Sequence, residues 1–359
     1  MKTSDLKRLL TVASPKIKSS DMLSTGSTLL NLACTGKPRS GLIKGHYYYF
    51  VGDSGSGKTW LCLTSFAEAC INPKFDDYRL IFDNAEDGAL MDWEKFFGSK
   101  VAERVESPSV DKEGKPVHST TVEEFFYHLD DAKEVGRPCI YVLDSMDALS
   151  SADELDKVQE QKKQTRSGKA VSGDYGLSKP KRNSSGLRQA MHFLHTSGSI
   201  LIIISQTRDR IGFGAMFEPR TRGGGKALTF YATLEMWTTQ AGHIKKRVKE
   251  KDREQGIYSK IHIKKNRITG KDRTVTIPIY HSYGIDDVGS CVDYLIEEGH
   301  WKKSNGIVTA QEFDFKGRLE ELIQLIQNND QERELQNLTA SIWNDIEQKT
   351  AINRKKRYE

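Results

Sequence analysis

Little in this chain of 359 residues points to a membrane or to an oxidising compartment. No apolar run approaches the ~20 residues that a membrane helix needs. The opening MKTSDLKRLLTVASPK lacks the apolar core of a signal peptide. The five cysteines (Cys34, Cys62, Cys70, Cys139 and Cys291) are odd in number and form no C-x-x-C pair. That argues against a disulfide framework or a zinc site and for buried, inert thiols in a reducing, cytoplasmic setting. Internal repeats are absent too. What is present, 37% hydrophobic and 9% aromatic residues, suits a globular chain able to bury a large core. One main domain with smaller flanking pieces is expected.

The net charge of +5 is unevenly spread. Residues 157–188 hold nine basic and two acidic side chains, residues 207–226 five and two, and residues 245–273 twelve and four. These three runs carry +18, which leaves −13 on the rest of the chain. Basic segments set apart in this way usually face a polyanion, although each run alone reads equally well as a solvated face.

Residues 1–23 read as a short amphipathic helix, with Leu6, Leu9, Leu10 and Val12 on one side, followed by a polar linker. From about 24 to 280, short apolar runs alternate with helical stretches. Strands are expected over 47–51, 80–83, 139–144, 200–205, 233–237, 259–265 and 274–279. The early runs are apolar throughout, as in strands covered on both faces. Helices are expected over 58–70, 122–135 and 187–195. The pattern predicts an α/β fold with a mostly parallel central sheet. Two segments break the rhythm, 150–186 and 207–225, and both read as mobile loops. Past about 290 a small mixed segment ends in two helices, with Leu319, Leu322, Ile323 and Ile326 on one and Leu335, Leu338 and Ile342 on the other. The division expected is an N-terminal helix and linker (1–23), an α/β core (24–285) and a small C-terminal region (286–359).

The strongest motif is Gly52-Asp53-Ser54-Gly55-Ser56-Gly57-Lys58-Thr59, a full match to G-x-x-x-x-G-K-[ST]. Its glycines let successive backbone N–H groups point at phosphate oxygens. Lys58 supplies a point charge to the terminal phosphates, and the Thr59 hydroxyl is a ligand for Mg²⁺. A strand precedes the loop and a helix follows, whose N-terminus adds its dipole. The run from Cys139 to Leu143 ends in Asp144, placed to hold Mg²⁺ through water opposite Thr59. A third strand end leads into Asp83, Asn84, Ala85, Glu86 and Asp87. A carboxylate there would orient and deprotonate an attacking water, and spacing alone leaves Asp83, Glu86 and Asp87 in competition. A fourth leads into Gln206, either a simple strand cap or a sensor of the terminal phosphate.

These four strand ends, in this order, resemble the RecA family of DNA strand-exchange ATPases. The likeness begins at Ser24-Thr25-Gly26-Ser27 and runs through residues 83–90, Asp144-Ser145 and ISQTRDRI at 204–211. It continues in GGGKALTFYATLEMW at 223–237, Lys265-Asn266-Arg267 and Tyr283-Gly284-Ile285, covering roughly residues 20–305. The short N-terminus SDLKRLL and the overall size also look like UvsX-type recombinases of tailed phages, which would place the protein in a bacterial host cytoplasm. The resemblance implies a RecA-like P-loop core, ATP and Mg²⁺ as cofactors, and catalysed homologous pairing and strand exchange on a helical filament. It implies Glu86 as the water-activating carboxylate and Gln206 as the switch between nucleotide and DNA. Lys265 and Arg267 would reach across a subunit interface to the neighbour's terminal phosphate. Recombination mediators or a single-strand-binding protein are the accessory partners it implies. There are departures. Arg267 stands where a second lysine is usual, Ser205 where an Asn is frequent, and Trp60 where a small residue is usual.

For DNA, physics and resemblance point to the same segment. The 207–225 loop carries Arg208, Arg210, Arg220 and Arg222, with Phe213, Met216 and Phe217 between them. Arginines neutralise phosphates, and Phe217 or Met216 could wedge between bases of a single strand. Gly223 and Gly224, with Gly225, let backbone N–H groups approach phosphates. The region 173–188, with Lys179, Lys181 and Arg182, would supply a first loop. The basic runs 179–182 and 245–253 could extend the channel or bind duplex DNA. Two other readings compete: a ring-forming translocase or helicase on the same core, and an ATP-gated mediator with negligible turnover.

Overall fold

A computed structural model describes residues 17–88, 91–166, 178–209, 220–355 and 357. The expected strands are all present. They are β1 (Tyr47–Gly52), β2 (Arg79–Asp83), β3 (Cys139–Leu143), β4 (Ile200–Asp209), β6 (Leu234–Val248), β7 (Lys251–Asn266) and β8 (Thr274–Tyr280). A further strand, β5 (Arg220–Arg222), was not expected. The helices that matter for the site are α1 (Thr28–Thr35), α2 (Lys58–Cys70), α3 (Trp93–Phe97), α4 (Val122–Glu134), α5 (Ala152–Arg166), α6 (Ser178–Ser197) and α7 (Lys226–Tyr231).

Among the described residues, ten strands form one sheet. Its order runs from the short strand Gly284–Ile285 through β8, β7, β6, β1, β4, β3 and β2 to the short strand Val105–Glu106, with β5 paired to β4 off this path. From β6 to Val105–Glu106 the neighbours pair in parallel; β6–β7 and β7–β8 are antiparallel. The central runs are apolar throughout because the sheet is covered twice. Tyr48, Phe50, Val142, Ile202 and Ile204 pack with α1 and α2, while the alternate Tyr49, Val51, Tyr141, Leu143 and Ile203 pack with α4 and α6. A separate cluster joins Val292, Leu295, Trp301, Leu322, Ile326 and Leu335. There the two expected C-terminal helices, α9 (Leu319–Asn328) and α10 (Glu332–Lys349), pack with α8 (Asp287–Glu297).

Two expectations are corrected. Residues 150–186 are not one loop: α5 fills 152–166 and α6 begins at Ser178. Helix α5 buries none of its side chains, so periodicity gave no signal. Its start is nevertheless specified. Ser151 and Glu154 form a reciprocal cap, with Ser151 N–H donating to Glu154 Oε2 (2.9 Å) and Glu154 N–H to Ser151 Oγ (3.3 Å). Acidic residues in its first turn and basic ones in its last match the helix dipole. Residues 207–225 are likewise not all loop. Strand β4 continues to Asp209 and β5 returns beside it, pairing Thr207 with Arg222 and Arg208 with Thr221. The basic run 245–253 is also ordered, as the tip of the β6–β7 ribbon. Lys249 and Glu250 turn the chain with φ of 50° and 59°, the sign that a two-residue hairpin turn requires.

Candidate nucleotide site and its link to the β4–β5 hairpin

The phosphate loop sits between the end of β1 and the start of α2, at the carboxyl edge of the parallel strands, where α/β sheets place their ligands. Close packing dictates two of its glycines. A Cβ on Gly52 would lie 2.0 Å from Thr238 Oγ1, and one on Gly57, at φ +88°, 2.6 Å from Ile279 Cδ1. Ser54 and Gly55 are exposed at the turn, while Ser56 is buried and donates to the Asp53 carbonyl (2.7 Å). Lys58 Nζ donates to the carbonyls of Gly52 (2.9 Å) and Asp53 (2.7 Å), which holds the ammonium inside the loop. Burial lowers the Lys58 pKa, and the carboxylates of Asp144 and Glu86 oppose that shift.

Thr59 Oγ1 donates to Asp144 Oδ2 at 2.6 Å, so the hydroxyl and carboxylate expected to flank a cation do meet. Asp144 is buried, and burial raises its pKa; the Thr59 hydrogen bond opposes this and nearby Glu86 adds to it. An acid held this way gains from a cation. The donors are hard oxygens and fit Mg²⁺, which typically binds through one or two protein oxygens plus phosphate oxygens. Among the described residues no group of three or more His, Cys, Asp or Glu could hold a metal by itself. Phosphate and water oxygens would therefore complete the shell.

Geometry separates the three competing acids. Asp83 is fully buried and accepts from Ser119 N–H (2.9 Å), Ser119 Oγ (2.6 Å) and Tyr141 OH (2.7 Å), all of them structural partners. Asp87 is exposed in a turn at φ +51°. Glu86 alone of the three lines the pocket with Lys58, Thr59, Asp144 and Gln206. Ser145 Oγ donates to Glu86 Oε1, and Gln206 Nε2 donates to the same oxygen at 2.8 Å.

From Gln206 the contacts lead into the β4–β5 hairpin. Gln206 N–H donates to Asp147 Oδ2 (2.8 Å), and Asp147 Oδ1 pairs with Arg208 (3.2 Å). Thr207 Oγ1 donates to Asp53 Oδ1, which ties the hairpin directly to the phosphate loop. Sequence reasoning missed Asp147 and the Asp53–Thr207 link. Asp147 sits three residues past Asp144 with no motif of its own, and only the fold brings residue 53 beside residue 207.

The remaining expected residues are distributed as follows. Arg210 and Phe217, like residues 1–16, lie outside the described residues. Arg220 and Arg222 are on β5, and Gly223 and Gly224 follow it. A Cβ on Gly223 would lie 2.7 Å from Asp147 Oδ1, and Asn183 Nδ2 donates to the Gly224 carbonyl (2.9 Å). Lys181 is exposed, Lys179 Nζ donates to the Leu149 carbonyl (2.6 Å), and Arg182 pairs with Glu123 (3.0 Å). Lys265 and Arg267 do not line the pocket of their own chain. They donate to carbonyls at the end of α7: Lys265 to Thr229 and Phe230, and Arg267 to Phe230 (2.6 Å).

The family model described as the RecA N-terminal domain matches residues 131–286. The chain is similar to the RecA protein of Chlorobaculum tepidum, 28% identical over 79% of this chain and 72% of that protein. It is also similar to those of Chloroherpeton thalassium (27%, 86% and 77%) and Helicobacter pylori (27%, 85% and 78%). Sheet order, pocket and matches converge on a RecA-like α/β core, and over most of its length the chain is similar to RecA proteins.

Proposed function

We propose that this chain is an ATP-dependent homologous-recombination protein of phage, UvsX-like type, which polymerises on single-stranded DNA and pairs it with duplex. The reading rests above all on the hydrogen bond between Gln206 Nε2 and Glu86 Oε1 (2.8 Å). It joins the carboxylate suited to orienting a water at the terminal phosphate to the strand that leads into the arginine-bearing hairpin. Asp53–Thr207 is a second tie between the same two parts.

In this reading the loop N–H groups and Lys58 bind the triphosphate, and Glu86 takes the proton of the attacking water. When bound at Thr59 and Asp144, Mg²⁺ would neutralise phosphate charge. A terminal phosphate competes for the Gln206 amide, and movement of Gln206 shifts Asp147 and Arg208 with it. Arg208, Arg210, Arg220 and Arg222 then grip the DNA backbone, with Phe217 as a base wedge. Lys179, Lys181, Arg182 and the ribbon tip at 245–253 extend that grip to duplex. Lys265 and Arg267 act on the neighbour's nucleotide, consistent with their place outside their own pocket. Residues 1–23 would dock on the adjacent subunit, with 24–285 as the ATPase core and 286–359 as the C-terminal region. Among the described residues no helix is long and apolar enough to cross a membrane.

The test is ATP turnover with and without single-stranded DNA and Mg²⁺, together with electron microscopy of the ATP complexes. DNA-stimulated turnover on helical filaments is expected, with turnover lost in Lys58→Ala. Closed rings, or DNA binding of equal strength with and without nucleotide, would remove the proposal.

A further inference from the structure

The pocket around Lys58 has two chemically different ends. Lys58, Thr59, Glu86, Asp144 and Gln206 form a polar end, which the phosphate chemistry above uses in full. Trp60, Ile257, Ile279 and His281 form the other, which that chemistry leaves unused. A nucleoside triphosphate with its phosphates on the loop N–H groups and Lys58 would need the rest of the same pocket for its sugar and base.

Trp60 is built as a firm wall. Its indole meets Phe96 edge-on at 4.9 Å between ring centroids and Phe97 at 5.2 Å. It remains partly exposed. Gly284 approaches it without a side chain; a Cβ there would lie 3.5 Å from Trp60 Cζ3. Ile257 and Ile279 bring methyl groups from β7 and β8 and offer no hydrogen bond. His281 adds an imidazole, which faces Glu254 at 3.4 Å.

We propose that Trp60 is the nucleobase platform of this site, holding the base by stacking and apolar contact, so that purine and pyrimidine triphosphates are discriminated only weakly. The inference rests on the pocket being a nucleoside triphosphate site. It goes further in assigning the base-binding role to a residue that the phosphate-loop motif does not require. Stacking is tolerant of base identity because every base has a π face.

The test compares ATP and CTP with inorganic tripolyphosphate, which has the phosphates and no base. Titrations with Mg²⁺ on wild-type protein, Trp60→Phe and Trp60→Leu give the three affinities. Trp60→Leu keeps apolar bulk against Phe96 and Phe97 while removing the π face. The expected result is that Trp60→Leu weakens ATP and CTP by about tenfold, as loss of one stacked base implies, and leaves tripolyphosphate unchanged. Trp60→Phe should retain most of the ATP affinity. Equal weakening of ATP and tripolyphosphate would overturn the inference, because Trp60 would then act on the shape of the loop. Unchanged ATP affinity in Trp60→Leu would overturn it as well, while leaving the nucleotide site intact. Wild-type protein that binds neither ATP nor tripolyphosphate would instead overturn the proposed function, and this inference with it.

Discussion

Strands β2 and β3 lie side by side, and Asp83 and Asp144 stand at neighbouring tips of the same sheet edge. Both are buried. Asp83 is enclosed by three neutral donors from Ser119 and Tyr141, which satisfy it completely within the fold. Asp144 has one hydroxyl donor, Thr59, and a second carboxylate, Glu86, nearby. One carboxylate is spent on structure, whereas the other carries a burial cost that Thr59 and the Lys58 ammonium only partly offset. Position at a sheet edge nominates a functional acid, and its partners decide whether it is one.

The largest expected effect tests Asp144. Asp144→Asn removes the charge that a cation would answer, and turnover should fall by at least about a hundredfold. Stability should move the other way. Burial raises the Asp144 pKa above its ordinary value, so the stability it contributes is complete below about pH 3.8 and is lost as pH rises through the folded pKa. At neutral pH without Mg²⁺, Asp144→Asn should therefore melt at or above the wild-type temperature, and the gain should vanish in acid. A loss of stability at neutral pH would break the contrast with Asp83. The second effect completes the pair. Asp83→Ala leaves Ser119 and Tyr141 without their acceptor and should cost about 2–4 kcal/mol in denaturant unfolding. If Asp83→Ala folded normally and lost only turnover, the two roles would have to be exchanged.

How much of this was legible in sequence follows from what each feature needs. The phosphate loop was readable because its motif is local: a strand, a turn and a helix supply it within a few residues. Asp144, 85 residues further on at another strand end, was readable only in the company of that loop. The two-sided core was readable from unbroken apolar runs such as Ile200–Ser205, since alternate residues face opposite layers. The choice among Asp83, Glu86 and Asp87 was not readable from spacing. It depends on Ser119 and Tyr141, which only the folded sheet brings to Asp83. Resemblance chose Glu86, and of the three acids it is the one that lines the pocket. Helix α5 escaped because it buries nothing, although the Ser151–Glu154 cap was there to be read.

A smaller effect asks whether the coupling on the Asp144 side runs through one contact or two. Gln206→Ala removes the hydrogen bond to Glu86, and Thr207→Val removes the one to Asp53 with little change of shape. Hydrogen bonds to charged groups contribute about 1.5–3 kcal/mol. The nucleotide-dependent tightening on a labelled single strand should thus shrink by about tenfold or more in Gln206→Ala and by somewhat less in Thr207→Val. Anisotropy titrations with and without an ATP analogue measure it. Thr207→Val indistinguishable from wild type would leave Gln206 as the sole path.

The smallest effect carries the comparison of carboxylates to the surface. Glu347 lies between Arg273 and Lys271, and the hydrogen bonds from Arg273 are the first cause of a pKa held down at about 2. Its sign is opposite to that of Asp144. The stability it contributes is present above its ordinary value of 4.5 and is lost as pH falls toward about 2. The network is near solvent and screened, so Glu347→Gln should cost only about 0.5–1 kcal/mol at neutral pH. That cost should fade between about pH 4.5 and 2, whereas the Asp144→Asn gain fades over its own acid range with the reverse sign. Unfolding curves of the two variants across acid pH should therefore approach wild type from opposite sides. Approach from the same side would mean that partners do not set the sign, and the distinction drawn at β2 and β3 would lose its physical basis.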